Sequence, residues 1–250
     1  MSTGFKGPIV HGPENSTKLY PYRTGMGMMP SAEWIVFHDD FTGKAASNVL
    51  EGWNAGIIDT GCTVTQGVLA GGVAQLTSDA DDEGAAQYGP LSVALNGKRF
   101  FMECRVKMED VSAMTFQMGL SVLTAVTNPE DIWTTVAADY IAFGLLDSAV
   151  CALTYDKNNG GTVTETNSNT TQATLADDTY AVLAIAYNGA STVADGSLKA
   201  YVNGIEVAAA LTEAQVPDDL PLAPFFGFLA GHATTANTAE VDYIRYVLER

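Results

Sequence analysis

The chain has 250 residues, of which 47% are hydrophobic, and its 12 basic and 29 acidic residues give a net charge of −17. This length fits one large β domain or two small ones. Contacts to phosphate groups need Lys and Arg. The large excess of acidic residues therefore argues against nucleic acid and anionic membranes as partners.

Residues 1–32 differ from the rest of the chain. Their prolines exclude a helix or a central strand, and their basic residues outnumber their acidic ones. They also hold more apolar residues than a solvated linker needs. We predict an extended arm that lies on its own acidic body, on a sister subunit or on a different protein. The candidate contact residues of the arm are Phe5, Ile9, Val10, Leu19, Tyr20, Tyr22, Arg23, Met26, Met28 and Met29.

Residues 33–250 form one predicted domain of short strands with turns every eight to twelve residues. Residues 125–139 are predicted to hold a short helix or a loop. Asn203-Gly204 predicts a two-residue hairpin, the acidic residues 78–84 a hairpin turn, and 225–229 with 241–247 a closing hairpin. The predicted strands are 33–41, 57–58, 62–65, 68–69, 73–77, 85–88, 100–108, 114–122, 140–146, 150–155, 162–166, 180–187, 198–202, 205–207, 225–229 and 241–247.

This pattern predicts an all-β fold, an antiparallel sandwich or jelly roll of two packed sheets. Cys62, Cys104 and Cys151 are widely spaced and predicted to be buried reduced thiols, because free cysteine is among the most buried residue types. The sequence holds no apolar segment of the length of a signal peptide core or of a transmembrane helix. We therefore expect a protein made in a cytosol.

Clustered carboxylates at Asp79, Asp81, Asp82 and Glu83 can hold calcium, but their spacing matches no EF-hand loop, which favours a solvated turn. His11, His38 and His232 form no metal-binding pair. His38 lies beside Asp39 and Asp40, where a strand-end hydrogen bond is favoured over a catalytic dyad. We therefore predict no metal, no cofactor and no catalytic residue.

Glycoside chemistry needs two carboxylates that flank the scissile bond, which on one strand reads E-x-D-x-E or E-x-D-x-x-E. Glu240 and Asp242 begin such a string, and Arg245 follows where an acid is needed. We therefore expect an ordinary cross-strand ion pair of Arg245 with Glu240 or Asp242, and no enzyme. Trp34, Trp53 and Trp133, with the ten tyrosines, could build a sugar platform, although most are predicted to be core residues.

Three stretches resemble the concanavalin A-like lectin/glucanase sandwiches, most of all the version found in tailed-phage virion proteins. They are FHDDFTG from residue 37, GKRFFMECRVKMEDV from residue 97 and APFFGFLAG with VDYIRYV near the end. The resemblance covers residues 33–248 and consists of strand patterns, so it is specific for fold.

The resemblance implies a bacteriophage capsid decoration (cement) protein on the capsid surface of the virion, made in the host cytoplasm. Its implied partners are the major capsid protein and further copies of the chain, in a homodimer or homotrimer. The main alternative is a carbohydrate-binding module on a phage surface that helps adhesion to a host glycan; a tail or fibre component and a hydrolase are further alternatives.

Overall fold

The computed structural model describes fourteen strands, β1 to β14, and no helix within the described residues. The described residues are 34–42, 50, 52–54, 61–66, 72–89, 94–122, 139–146, 149–157, 165–189, 198–207, 216–217, 220–231 and 237–249. No helix in these ranges is long and apolar enough to cross a membrane. The predicted arm and the predicted helix or loop at 125–139, apart from Asp139, lie outside them.

One sheet has eight strands in the order β12-β11-β10-β5-β14-β3-β2, and β1 also pairs with β14. All of its pairs are antiparallel. Its strands are β1 (Trp34–Asp39), β2 (Cys62–Gln66), β3 (Ala74–Ser78), β5 (Phe100–Met108), β10 (Ala181–Tyr187), β11 (Leu198–Val202), β12 (Ile205–Glu206) and β14 (Asn237–Glu249).

The second sheet has six strands in the order β4-β13-β6-β7-β8-β9, again antiparallel throughout. Its strands are β4 (Gly84–Tyr88), β6 (Thr115–Ser121), β7 (Tyr140–Leu145), β8 (Val150–Asp156), β9 (Glu165–Thr174) and β13 (Ala223–Leu229). The predicted antiparallel sandwich is therefore confirmed.

The hydrophobic core lies between the two sheets, and strand alternation supplies it. Phe100, Met102, Cys104, Val106 and Met108 of β5 all point inward, as their spacing predicts. From the other sheet, alternate residues of β6, β7 and β8 meet them. The three cysteines are buried thiols outside any disulfide, as predicted, and burial raises the pKa of the Cys151 thiol to about 12.

A β-bulge in β14 changes which of its residues face the core. The register with β5 shifts between Val241 and Tyr243, so that both Asp242 and Tyr243 lie on the polar side. Simple alternation along a regular strand would place Tyr243 on the same face as Val241. Beyond the bulge, Ile244 and Tyr246 point inward.

Two of the predicted hairpins are wrong. Strand β3 pairs with β2 and β14, whereas β4 pairs with β13, so the acidic turn at 78–84 connects the two sheets. Strands β13 and β14 likewise belong to different sheets. Strand alternation identifies a buried face but not the partner strand. The Asn203-Gly204 hairpin is confirmed, with both residues at positive φ and β11 paired to β12.

An aromatic cluster closes one end of the sandwich around Asp39. The Trp53 indole N–H donates to Asp39 Oδ2 at 2.7 Å, and the Phe41 backbone N–H donates to Asp39 Oδ1 at 2.8 Å. Burial raises the pKa of this carboxyl. Trp53 packs edge-on against Phe226 with ring centroids 4.9 Å apart, which confirms Trp53 as a core residue.

Asp39→Asn tests the role of this carboxylate. An amide offers only one acceptor oxygen, so one of the two donors loses its partner. We expect the free energy of unfolding to fall by about 1–3 kcal/mol in a denaturant titration. The control is Asp40→Asn, whose carboxylate accepts an exposed hydrogen bond from Thr42, and which should change it by less than about 0.5 kcal/mol. Equal effects of the two substitutions would contradict this role.

Candidate functional site

The outer face of the six-stranded sheet, which points away from the sandwich core, is the candidate site, and we call it the outer β6–β8 face. On β6, Phe116, Met118 and Leu120 enter the core, so the alternate residues point outward. The same parity applies to the neighbouring strands. The outward residues whose side chains are described are Gly84, Ala86, Tyr88, Thr115, Gln117, Gly119, Ser121, Tyr140, Ala142, Gly144, Val150, Ala152, Thr154, Thr174, Ala223, Phe225, Gly227 and Leu229.

Strand register arranges these residues in rows. One row runs Tyr88, Phe225, Gly119, Ala142 and Thr154 across five strands. The ring centroids of Tyr88 and Phe225 lie 6.0 Å apart, so two aromatic rings stand at one side of the row. Glycine and alanine occupy its centre, and the whole row is buried, with Phe225 and Ala142 0% exposed and Thr154 8% exposed.

The next row carries Gln117, with Gly227 as its partner on β13 and Gly144 as its partner on β7. Close packing of β6 against β7 requires glycine at positions 144 and 119. A Cβ at Gly144 would collide with the carbonyl oxygen of Phe116, and one at Gly119 with that of Ile141. Strands β6 and β7 can therefore pair this closely only because Gly119 and Gly144 have no Cβ.

The Gln117 side chain crosses β7 to reach β8. Its Nε2 donates to Thr154 Oγ1 at 3.2 Å, and Thr154 Oγ1 donates to the carbonyl oxygen of Ala142 at 3.4 Å. The crossing is possible because the β7 residues beneath it are Ala142 and Gly144. The amide of Gln117 is thus fixed at the centre of the outer β6–β8 face.

Gln117 Oε1 and Ser121 Oγ are buried polar atoms of this face that have no hydrogen-bond partner among the described residues, and the two residues are 0% and 1% exposed. An unpaired polar atom costs stability when it is buried, so such an atom in a folded protein calls for a partner such as a water molecule, an ion or a ligand. Tyr140, beside Ser121 on the adjacent strand, remains partly exposed.

The outer face of the eight-stranded sheet has a different chemistry, because ion pairs cover it. Glu103 is 1% exposed and accepts hydrogen bonds from Tyr243 Oη at 3.0 Å and from Arg245 Nη2 at 3.2 Å. Burial, with the carboxylate of Glu103 close by, raises the pKa of Tyr243.

The other carboxylates of this face are also paired. Arg105 pairs with Asp242 and lies over the Tyr180 ring, 4.1 Å from its centroid. Lys107 pairs with Glu240 at 2.9 Å. The partner expected for Arg245 was therefore wrong, because the bulge in β14 aligns Asp242 with Arg105 and leaves Arg245 beside Glu103.

The remaining sequence-predicted candidates do not converge. Asp79, Asp81 and Asp82 are exposed on their turn, and no group of metal-binding side chains occurs among the described residues. His38 is exposed, while Asp39 binds Trp53 and Phe41, in keeping with a strand-end hydrogen bond. The contact residues predicted for the arm, with His11, His232 and Trp133 and the side chain of Trp34, lie outside the described residues.

Sequence reasoning missed Gln117, Ser121, Tyr140 and Thr154. Each is a single polar or aromatic residue on a different part of the chain, and none forms a motif. The available signal was that the outward positions of β6, from Thr115 to Ser121, are all small or polar in an otherwise apolar strand.

No protein-family sequence model and no curated protein matches this chain. Solved structures do. A Crh5 transglycosylase in complex with NAG is 14% identical, with a TM-score of 0.57 and coverage of 86% of this chain and 83% of that chain. A LamA variant from Z. galactanivorans, in complex with laminaritriose and laminaritetraose, is 11% identical, with a TM-score of 0.56 and coverage of 88% and 100%. The carbohydrate recognition domain of Emp47p is 11% identical, with a TM-score of 0.54 and coverage of 87% and 97%.

At these identities the likeness establishes the fold, and the fold is the concanavalin A-like jelly roll that the sequence predicts. It also corrects one expectation. The expectation that the chain is not an enzyme is wrong. Proteins that share this fold include a transglycosylase and glucanases, so the fold does not argue against an enzyme. Glu240 and Asp242, the acids that begin the glycosidase-like string, lie in ion pairs on the eight-stranded sheet.

Ser121→Ala tests whether the Ser121 hydroxyl has a structural role. Because it has no partner among the described residues, we expect the free energy of unfolding to stay constant or rise by up to about 1 kcal/mol. The control is Ser78→Ala, because Ser78 Oγ, also buried, exchanges hydrogen bonds with the backbone of Ala80 at 3.1 and 3.2 Å. That substitution should lower it by about 1–2 kcal/mol. A comparable loss in Ser121→Ala would show that its hydroxyl stabilises the fold.

Proposed function

We propose that this chain is a glycan-active protein that binds an oligosaccharide on the outer β6–β8 face. The observation that carries the proposal is the pair of buried polar atoms without a partner, Gln117 Oε1 and Ser121 Oγ, with the partly exposed ring of Tyr140 beside Ser121. Sugars offer hydroxyl groups for such atoms and apolar C–H faces for aromatic rings.

The structural neighbours support the same class of ligand. One is in complex with NAG, one is in complex with laminaritriose and laminaritetraose, and one is a carbohydrate recognition domain. Of the alternatives considered from the sequence, carbohydrate binding is therefore better supported than capsid decoration. The opposite sheet is a poorer candidate, because its charged side chains are engaged in ion pairs and hydrogen bonds with one another.

Tyr140→Ala tests the location of the site. Calorimetric titration of the wild type with neutral β-glucan oligosaccharides should detect binding, and Tyr140→Ala should weaken it about tenfold or more. The matched control is Tyr180→Ala, which removes a partly exposed tyrosine from the outer face of the other sheet and should leave affinity unchanged. Mass spectrometry of the same mixtures reports whether the bound sugar is also cleaved or transferred. Equal losses in the two variants would overturn the proposed location.

Capsid decoration stays a prediction, and it depends on residues 1–32, outside the described part of the chain. In this role, the chain would form a homodimer or homotrimer that binds the major capsid protein through the arm. Deleting residues 1–32 should leave the β-sheet circular dichroism of the body intact and abolish self-association in light scattering and capsid binding in co-sedimentation. A deletion variant that still assembles and binds capsids would contradict this role.

A further inference from the structure

An apolar patch on the outer face of the eight-stranded sheet is buried, although it points away from the sandwich core. The patch consists of Phe101, Ala184, Tyr201 and Val247, which come from the neighbouring strands β5, β10, β11 and β14. For each of them, the residues before and after it in the sequence enter the core, so the four side chains point outward. They are nevertheless only 2–3% exposed.

Such burial requires a further layer of chain over the patch. The strands of a sheet flank an outward side chain and leave its tip open to water, unless another element packs on that face. The long side chains that border the patch lie at its two sides. On β14, the Arg245 guanidinium lies 5.5 Å from the centroid of the Phe101 ring, and on β11, Lys199 pairs with Glu206 at 2.8 Å. The middle of the patch therefore needs another cover.

Residues 1–32 join the body beside this patch. Strand β1 follows them closely, and its first residue, Trp34, pairs with Glu249 at the end of β14. Val36 of the same strand pairs with Val247, a member of the patch. From β1 to β11 the sheet is four strand spacings wide, about 19 Å. About six extended residues span that distance, so an arm of this length can cross the patch.

Composition favours the arm over the other segments near the patch that lie outside the described residues. Residues 190–197 connect β10 to β11, and residues 208–215 follow β12. Each of these segments has a single large apolar residue, Val193 or Leu211, and each has one acidic and no basic residue. The arm brings the nine apolar residues named among its candidate contacts, which is enough to cover four apolar side chains.

Charge favours the same placement. The arm has three basic residues and one acidic residue, a net charge of +2, so the rest of the chain carries −19. The carboxylates of Glu206 and Glu249 lie at opposite sides of the patch, with 44% and 25% of their side chains exposed. Opposite net charges attract the arm to this face, whereas an acidic segment is repelled from it.

We infer that the arm folds back onto its own body and that its apolar residues cover the patch formed by Phe101, Ala184, Tyr201 and Val247. The arm then occupies the outer face of the eight-stranded sheet of the same chain, and neither a sister subunit nor a different protein is needed to cover it. The proposed glycan site lies on the other sheet, so this contact does not depend on it.

Photo-crosslinking in the full chain identifies what covers the patch. Tyr201 is replaced by p-benzoylphenylalanine, the protein is irradiated, and crosslinked peptides are mapped by mass spectrometry. Because a crosslink needs direct contact, peptides from residues 1–32 should be crosslinked at least about tenfold more than with the same replacement at Thr63. Thr63 is the control because it is exposed on the edge strand β2.

The same replacement at Lys199, which borders the patch and is partly exposed, decides if circular dichroism shows that the Tyr201 variant does not fold. An equal mixture of isotope-labelled and unlabelled chains distinguishes crosslinks within one chain from crosslinks between two chains. Crosslinks to the arm within one chain support the inference. Crosslinks between chains, crosslinks to 190–197 or 208–215 in place of the arm, or no crosslink to the arm would each overturn it.

Discussion

Backbone pairing along β14 is the constraint on which the eight-stranded sheet depends. One edge of β14 follows β5 over nearly its whole length, while the other edge is shared by β3 in its first half and β1 in its second. A single strand thus joins segments from both ends and the middle of the sequence. The bulge between Val241 and Tyr243 is what lets this strand fill the core with Ile244 and Tyr246 and still place Asp242 against Arg105.

The two sheets meet different physical requirements on their outer faces. On the eight-stranded sheet, Glu103, Asp242 and Glu240 each have a basic partner. Arg245 Nε is buried on this face without a hydrogen-bond partner among the described residues, although Arg245 Nη2 donates to Glu103. On the six-stranded sheet, glycines permit close strand pairing, and Gln117 extends over them to Thr154. That arrangement leaves Gln117 Oε1 and Ser121 Oγ unsatisfied, which costs stability unless a ligand repays it. The asymmetry is why we place the site on the smaller sheet.

Sequence alone predicted most strands and the faces of β5, because apolar alternation records burial directly. It did not predict strand partners where a short connection crosses between sheets, as at 78–84, since local pattern contains no information on which sheet comes next. The polar strand β9, Glu165–Thr174, was largely missed because it lacks apolar alternation. The site itself could not be predicted. Gln117, Tyr140 and Thr154 come together only through register, and their chemistry depends on glycine and alanine neighbours that look unremarkable in sequence.

The most direct test of the account is to map where a glycan binds. Isotope-labelled protein is titrated with a neutral β-glucan oligosaccharide while backbone and side-chain amide resonances are followed. We predict that the shifts concentrate on β6, β7 and β8, with the Gln117 side-chain amide among the largest. Shifts concentrated instead around Glu103, Arg105 and Tyr243 on the eight-stranded sheet, or no shifts at millimolar ligand, would contradict a glycan site on the outer β6–β8 face.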